Sequence, residues 1–217
     1  MRGLILAYNA ADAKMMLAFV AAIMLSGCSG LKTSGRSSDL ELNYPDAIDV
    51  VRRAEWGWKK AENPLPEHSV SKITIHHGGV AFGDDRDLVE YLRSLQNWSR
   101  EEKGWMDIPY HFVIDLEGRI YEGRPLQYPG DTNTTYNPKT HALIVVVGNY
   151  EVRELAKVQF ESLVKLTAFL ATEFAVGLSD IKAHKDYVPG ETACPGINIY
   201  QYLEDGSLLR RVEQLII

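Results

Sequence analysis

Hydrophobic and polar positions alternate along VSKITIHH, Val70 to His77. Pro66 precedes this run and Gly78-Gly79 closes it, which predicts a strand ending on two histidines. Between Asp85 and Lys103, Leu88, Tyr91, Leu92 and Leu95 recur at helical spacing. That segment reads as an amphipathic helix with Asp84 or Asp85 as N-cap and Gly104 as its stop. HFVIDLEGRIYEG, His111 to Gly123, predicts two short strands around a Glu117-Gly118 turn, and the unbroken apolar run ALIVVVG, Ala142 to Gly148, predicts a strand covered on both faces. From Glu154 to Val176 a long helix is expected, with Leu155, Val158, Leu163, Leu166, Leu170 and Phe174 on one face and Gly177 ending it. A last helical stretch falls within Ile199 to Ile217, interrupted near Gly206. Strands alternating with helices, together with one hairpin, give an α/β class: a single domain with a central mixed β-sheet flanked by helices.

The N-terminal end is patterned differently. MMLAFVAAIML, Met15 to Leu25, has the length of an export-signal core and falls short of the roughly 20 apolar residues that span a bilayer. Tyr8 and Asp12 are unusual ahead of such a core, which points to a translation start at Met15 or Met16. The stretch ends LSGC, Leu25 to Cys28, which resembles the lipobox of bacterial lipoproteins. That resemblance implies removal of residues 1–27, lipid attachment at Cys28 and anchoring to a membrane of the bacterial cell envelope. Ser29 after it resembles outer-membrane lipoproteins, if the cell has an outer membrane. Residues 28–42 open Ser/Gly-rich and read as a flexible tether, with the folded domain over 43–217. The expected intact mass of the mature protein is that of a chain starting at an acylated Cys28; an unmodified cysteine there would refute the anchor.

Composition narrows the partners. A net charge of −6 over 217 residues argues against nucleic acid, whose phosphates call for a basic surface, and the length suits one domain, expected to be a monomer.

The candidate chemistry lies in His76 at a strand end, His111 beside Tyr110, His184, and Cys194 ten residues after His184. Imidazole nitrogen and thiolate sulfur suit zinc, and a catalytic zinc takes three protein ligands with one position open. Singly these residues say little, because a lone histidine is more often structural and a buried cysteine often acts as a small hydrophobe. His68 and His141 carry no motif and default to surface or loop positions. Trp56, Trp58, Trp98 and Trp105 read as core and rim aromatics, with Trp105 near the candidate site, and Asp186 is a candidate for orienting His184.

Four strings decide between these readings. RRAEWGW (Arg52 to Trp58), ITIHHGG (Ile73 to Gly79), GWMDIPYHFVIDLEGRIYEGRP (Gly104 to Pro125) and AHKDYVPGETACPG (Ala183 to Gly196) resemble, in order, the landmarks of the peptidoglycan recognition protein and type 2 N-acetylmuramoyl-L-alanine amidase family. The resemblance implies zinc ligands at His76, His184 and Cys194, a tyrosine beside the attacking water at Tyr110, and at Thr192 an uncharged hydrogen-bond donor to the oxyanion where some members have Lys. It also implies peptidoglycan or muropeptides as substrate. One departure stands out: many members carry a Gly-x-His stretch before the buried strand, whereas GDTNTTYN, Gly130 to Asn137, has no histidine. Two other functions compete. One is a peptidoglycan-binding module without catalysis, disfavoured by the complete ligand set. The other is a peptidase with Cys194 as nucleophile and His184 as base, disfavoured because Pro195 offers no backbone N–H for an oxyanion hole.

Overall fold

A computed structural model of the chain describes residues 40–216. The export segment, Cys28 and all but the last three residues of the 28–42 stretch lie outside the described residues. Where the description begins, the Leu40 N–H donates to Gln127 Oε1 at 3.2 Å and Leu42 is buried in the main core.

Six strands form one sheet: β1 (Val50–Val51), β2 (Lys72–His77), β3 (Phe112–Ile114), β4 (Ile120–Glu122), β5 (His141–Val146) and β6 (Ile181–Ala183), in spatial order β1-β4-β3-β5-β2-β6. All neighbours are parallel except the β3/β4 hairpin, so the sheet is mixed. Around it lie α1 (Leu88–Glu101), α2 (Lys157–Glu173), the short α3 (His184–Tyr187), α4 (Ile197–Glu204) and α5 (Ser207–Glu213).

Side-chain alternation along the strands divides the core. Ile73, Ile75, Phe112, Ile114, Ile120, Ile144 and Val146 face α2 with Leu163, Leu166 and Leu170, and with Ile199, Leu208 and Val212 from the last two helices. Val113, Tyr121, Val145 and Val147 face the other way, toward Trp56 and the Leu88 and Leu92 side of α1. Fully burying one such aliphatic side chain contributes about 1.5–3 kcal/mol, so the two layers hold the sheet rigid between them.

Element ends depart from expectation in ways that local chemistry explains. The N-cap of α1 is Asp87, not Asp84 or Asp85, because its carboxylate accepts from the Glu90 N–H at 2.8 Å, while Asp84 pairs with Arg153. On α2 the buried face is turned so that Gln159 lies inside and Val158 is 52% exposed. Gln159 tolerates burial because Tyr150 OH and the Ala156 N–H donate to its oxygen and its amide donates to Asp115 O. The same helix stops before Gly177. Ala175 takes the left-handed conformation at φ 52°, and the Val176 N–H closes onto Ala171 O at 2.9 Å. The break at Gly206 between α4 and α5 falls where the sequence places it, with φ 73°.

Candidate active site

Because Ile73 and Ile75 point toward α2, Thr74 and His76 point to the opposite side, and His76 sits near the C-terminal end of a parallel strand, where open α/β sheets carry their sites. Strand β6 pairs with β2 in the register Ile73↔Ile181 and Ile75↔Ala183, so the next residue, His184 at the head of α3, comes alongside His76. Their ring centroids are 4.6 Å apart. Cys194 is brought in by a turn whose carbonyl accepts from the Lys185 N–H at 2.9 Å, and its Sγ lies 3.4 Å from His77 N and 3.6 Å from His76 Nδ1. One donor atom from each of His76, His184 and Cys194 lies within 4.8 Å of the others, and all three residues are buried.

This donor set fits a zinc ion. Bonds of about 2.3 Å to sulfur and about 2.0 Å to nitrogen at a tetrahedral angle place S and N roughly 3.5 Å apart, close to the spacing of His76 Nδ1 and Cys194 Sγ. Burial depresses the proton affinity of His76 and lowers that of His184 to about 4, so both rings offer lone pairs at neutral pH. Burial also pushes the Cys194 thiol up to about 12, against the opposing effect of the His77 N–H. A thiol in such surroundings is a poor nucleophile, which speaks against the cysteine-peptidase reading; a coordinating cation would deprotonate it.

Tyr110 and Thr192 line the same groove, about 430 Å³ in volume, so the structure brings all five predicted site residues in the folded part together. The Tyr110 ring centroid is 5.3 Å from that of His76, and burial, reinforced by Cys194, raises its hydroxyl pKa and keeps it a hydrogen-bond donor. The Thr192 hydroxyl oxygen accepts from the Cys194 N–H at 3.1 Å, which leaves its own proton free to donate. Trp98, 44% exposed, and Trp105 also line the groove with rings 5.9 Å apart and nearly perpendicular.

Tyr110 is positioned by buried polar groups that helical and strand periodicity do not reveal. The Asp107 carboxylate accepts from Trp58 Nε1 at 2.6 Å, Gln96 Nε2 at 2.7 Å and the Ile108 N–H at 2.8 Å. Arg124, fully buried, donates to Ile108 O, Asp107 O, Pro129 O and the Asp131 carboxylate, and its backbone N–H donates to Tyr110 O at 2.9 Å. The only sequence signal for Gln96 was its place four residues after Leu92 on the inner face of α1.

Of the other histidines, His77 lines the groove and accepts from the Tyr150 N–H at Nδ1, while three bond elsewhere. His111 accepts from the Leu143 N–H at Nδ1 and bonds Tyr128 O through Nε2, away from the groove, as strand alternation predicts. His141 is not a surface or loop residue: it opens β5, is buried, and bonds Thr74 Oγ1 at 2.8 Å. His68, half-buried, bridges Leu126 O and the Thr140 N–H. Asp186 does not bond His184; its carboxylate accepts from the Ala183 N–H and Tyr200 OH.

Three donors of metal-ligating type thus lie under an open groove in an α/β domain with a mixed sheet. The family model for N-acetylmuramoyl-L-alanine amidase (Amidase_2) matches residues 66–197. Peptidoglycan recognition protein 1 of Mus musculus is 30% identical over 159 residues, 71% of this chain and 86% of that protein. Drosophila peptidoglycan recognition protein SD superposes with a TM-score of 0.64 at 25% identity, covering 72% of this chain and 94% of that one. The N-acetylmuramoyl-L-alanine amidase LysC of Clostridium intestinale shares the fold with a TM-score of 0.59 at 23% identity, covering 73% and 97%. The chain belongs to the N-acetylmuramoyl-L-alanine amidase family.

Proposed function

We propose that the protein hydrolyses the amide bond between the muramoyl lactyl group and L-alanine in peptidoglycan or its fragments, with a zinc ion held by His76, His184 and Cys194. The observation that carries this reading is the convergence of those three donors beneath a groove that also presents Tyr110 and Thr192. Zinc, when bound, supplies a Lewis acid for the carbonyl and brings the pKa of a water toward about 7. Tyr110 holds a proton on its buried hydroxyl and donates a hydrogen bond beside the ligands. The Thr192 hydroxyl donates a hydrogen bond to the developing oxyanion without adding charge, a weaker stabilisation than an ammonium would give. The groove lies within the roughly 300–1,000 Å³ typical of small-ligand sites, enough for the bond and its neighbours and not for a whole polymer strand. Lipidation at Cys28 would keep the domain at the cell envelope, beside this substrate.

A recognition module without catalysis is the second reading, since two of the similar proteins are named for recognition. Mass spectrometry of purified sacculi incubated with the protein separates the two. Release of stem peptides with a free L-alanine amine, lost with chelator and restored by zinc, is expected. Tyr110→Phe is expected to lower turnover by about 10²–10³-fold with zinc content unchanged. Uncut sacculi with zinc-loaded protein would leave only the recognition reading; cleavage that resists chelator and stops with iodoacetamide would point to the thiol.

A further inference from the structure

We propose that Thr134, backed by Thr132, is the positioning residue that fixes the tautomer of His184 and so presents its Nδ1 to the metal; this rests on the zinc reading of the site. A ligating imidazole needs a lone pair on one nitrogen, and the hydrogen bond at the other decides which one carries it. Thr134 Oγ1 lies 2.7 Å from His184 Nε2, and Thr132 Oγ1 lies 3.3 Å from the same atom. The two hydroxyls are 2.9 Å apart, and the Thr134 N–H donates to Thr132 Oγ1 at 3.2 Å.

These contacts form a directional chain. In the proposed tautomer His184 Nε2–H donates to Thr134 Oγ1, the Thr134 hydroxyl donates to Thr132 Oγ1, and Nδ1 keeps its lone pair. Among the described residues no hydrogen bond reaches His184 Nδ1. On His76 it is Nδ1 that lies 3.6 Å from Cys194 Sγ. The opposite tautomer would aim an N–H at the cluster of ligand atoms, where a cation could not bind it.

The loop holding the two threonines is fixed on both sides. Asp131 is paired with buried Arg124, and Thr135 donates to the Glu191 carboxylate through its N–H at 2.9 Å and through its hydroxyl. Thr132 and Thr134 lie in GDTNTTYN, Gly130 to Asn137, a stretch without a histidine, so hydroxyls are the groups it offers the ring. A neutral acceptor orients the ring without placing a second negative charge beside the thiolate.

The test is zinc affinity of the folded domain, measured by competition with a chromophoric chelator. Thr134→Val is expected to raise the zinc Kd about 10–100-fold, with Thr134→Ser restoring most of the loss. Metal-free thermal midpoints should agree across the three proteins, and long-range ¹H–¹⁵N spectra of the metal-free proteins should show His184 protonated at Nε2 in the wild type and in Thr134→Ser but not uniformly so in Thr134→Val. Zinc binding unchanged or tighter in Thr134→Val would overturn the inference, because the hydroxyl would then be idle or competing for the ligand nitrogen, and the amidase reading would stand. A wild type that takes up no zinc would overturn both.

Discussion

Cys194→Ser is expected to reduce amide hydrolysis by about 10³-fold or more, equivalent to about 4 kcal/mol of lost transition-state stabilisation, and to leave the protein with less than stoichiometric zinc. A serine hydroxyl is a hard, protonated donor at neutral pH and a weak replacement for thiolate on a borderline-soft ion. The fold should survive, because the side chain lies at the groove wall and serine removes little volume; what anchors the turn is the Cys194 carbonyl bonded to the Lys185 N–H, which the substitution keeps. Elemental analysis and turnover, with circular dichroism in chelator to confirm folding, make the measurement. His76→Ala and His184→Ala should behave alike toward metal and substrate. Full zinc and full turnover in the serine variant would remove Cys194 from the ligand set.

Arg124→Ala is expected to destabilise the metal-free protein by about 3–5 kcal/mol, because it strips the partner from charges and carbonyls already withdrawn from water. Arg124 has no solvent exposure, and its guanidinium joins the Asp107–Ile108 backbone to Pro129 and Asp131. Burial lowers its pKa, helped by the charge of Arg100, while Asp131 and Asp107 oppose that effect. Arg124→Lys should recover only part of the loss, since an ammonium does not reproduce the guanidinium fork. Urea unfolding in excess chelator reads this without interference from metal. A loss below about 1 kcal/mol would mean that the 107–131 connection does not hold the groove together.

Much of this architecture was legible because periodicity reports burial. Alternation marks β2, the Glu117-Gly118 turn marks the β3/β4 hairpin and an unbroken apolar run marks β5, and the order of four strings singles out His76, Tyr110, His184, Thr192 and Cys194. What periodicity could not show was polar burial made tolerable by distant partners. Gln96 and Gln159 occupy apolar positions on their helices because carbonyls and hydroxyls from other segments satisfy them. Asp107 and Arg124 look like surface charges until the chain folds. His141 was misplaced for the same reason: its burial depends on Thr74, on a strand 67 residues away. The threonines beside His184 are visible only as the absence of a histidine, and in the first turn of α2 Gln159 takes the buried place that apolar spacing gives to Val158. Short elements such as β1 and β6 are too brief to leave a period, and they exist because β4 and β2 offer them an edge.

The in-register approach of β6 to β2 has a consequence for ion size. Neighbouring parallel strands stand about 4.8 Å apart, a pitch set by peptide hydrogen bonding. Two of the three donors are mounted side by side one step beyond Ile75↔Ala183, so the backbone ladder gauges the gap between them. Repacking apolar residues beneath the sheet would change how firmly that gauge is held, but not its width. A cation of larger radius would have to be met by rotation of the side chains, since the ladder sets where the two Cα atoms stand.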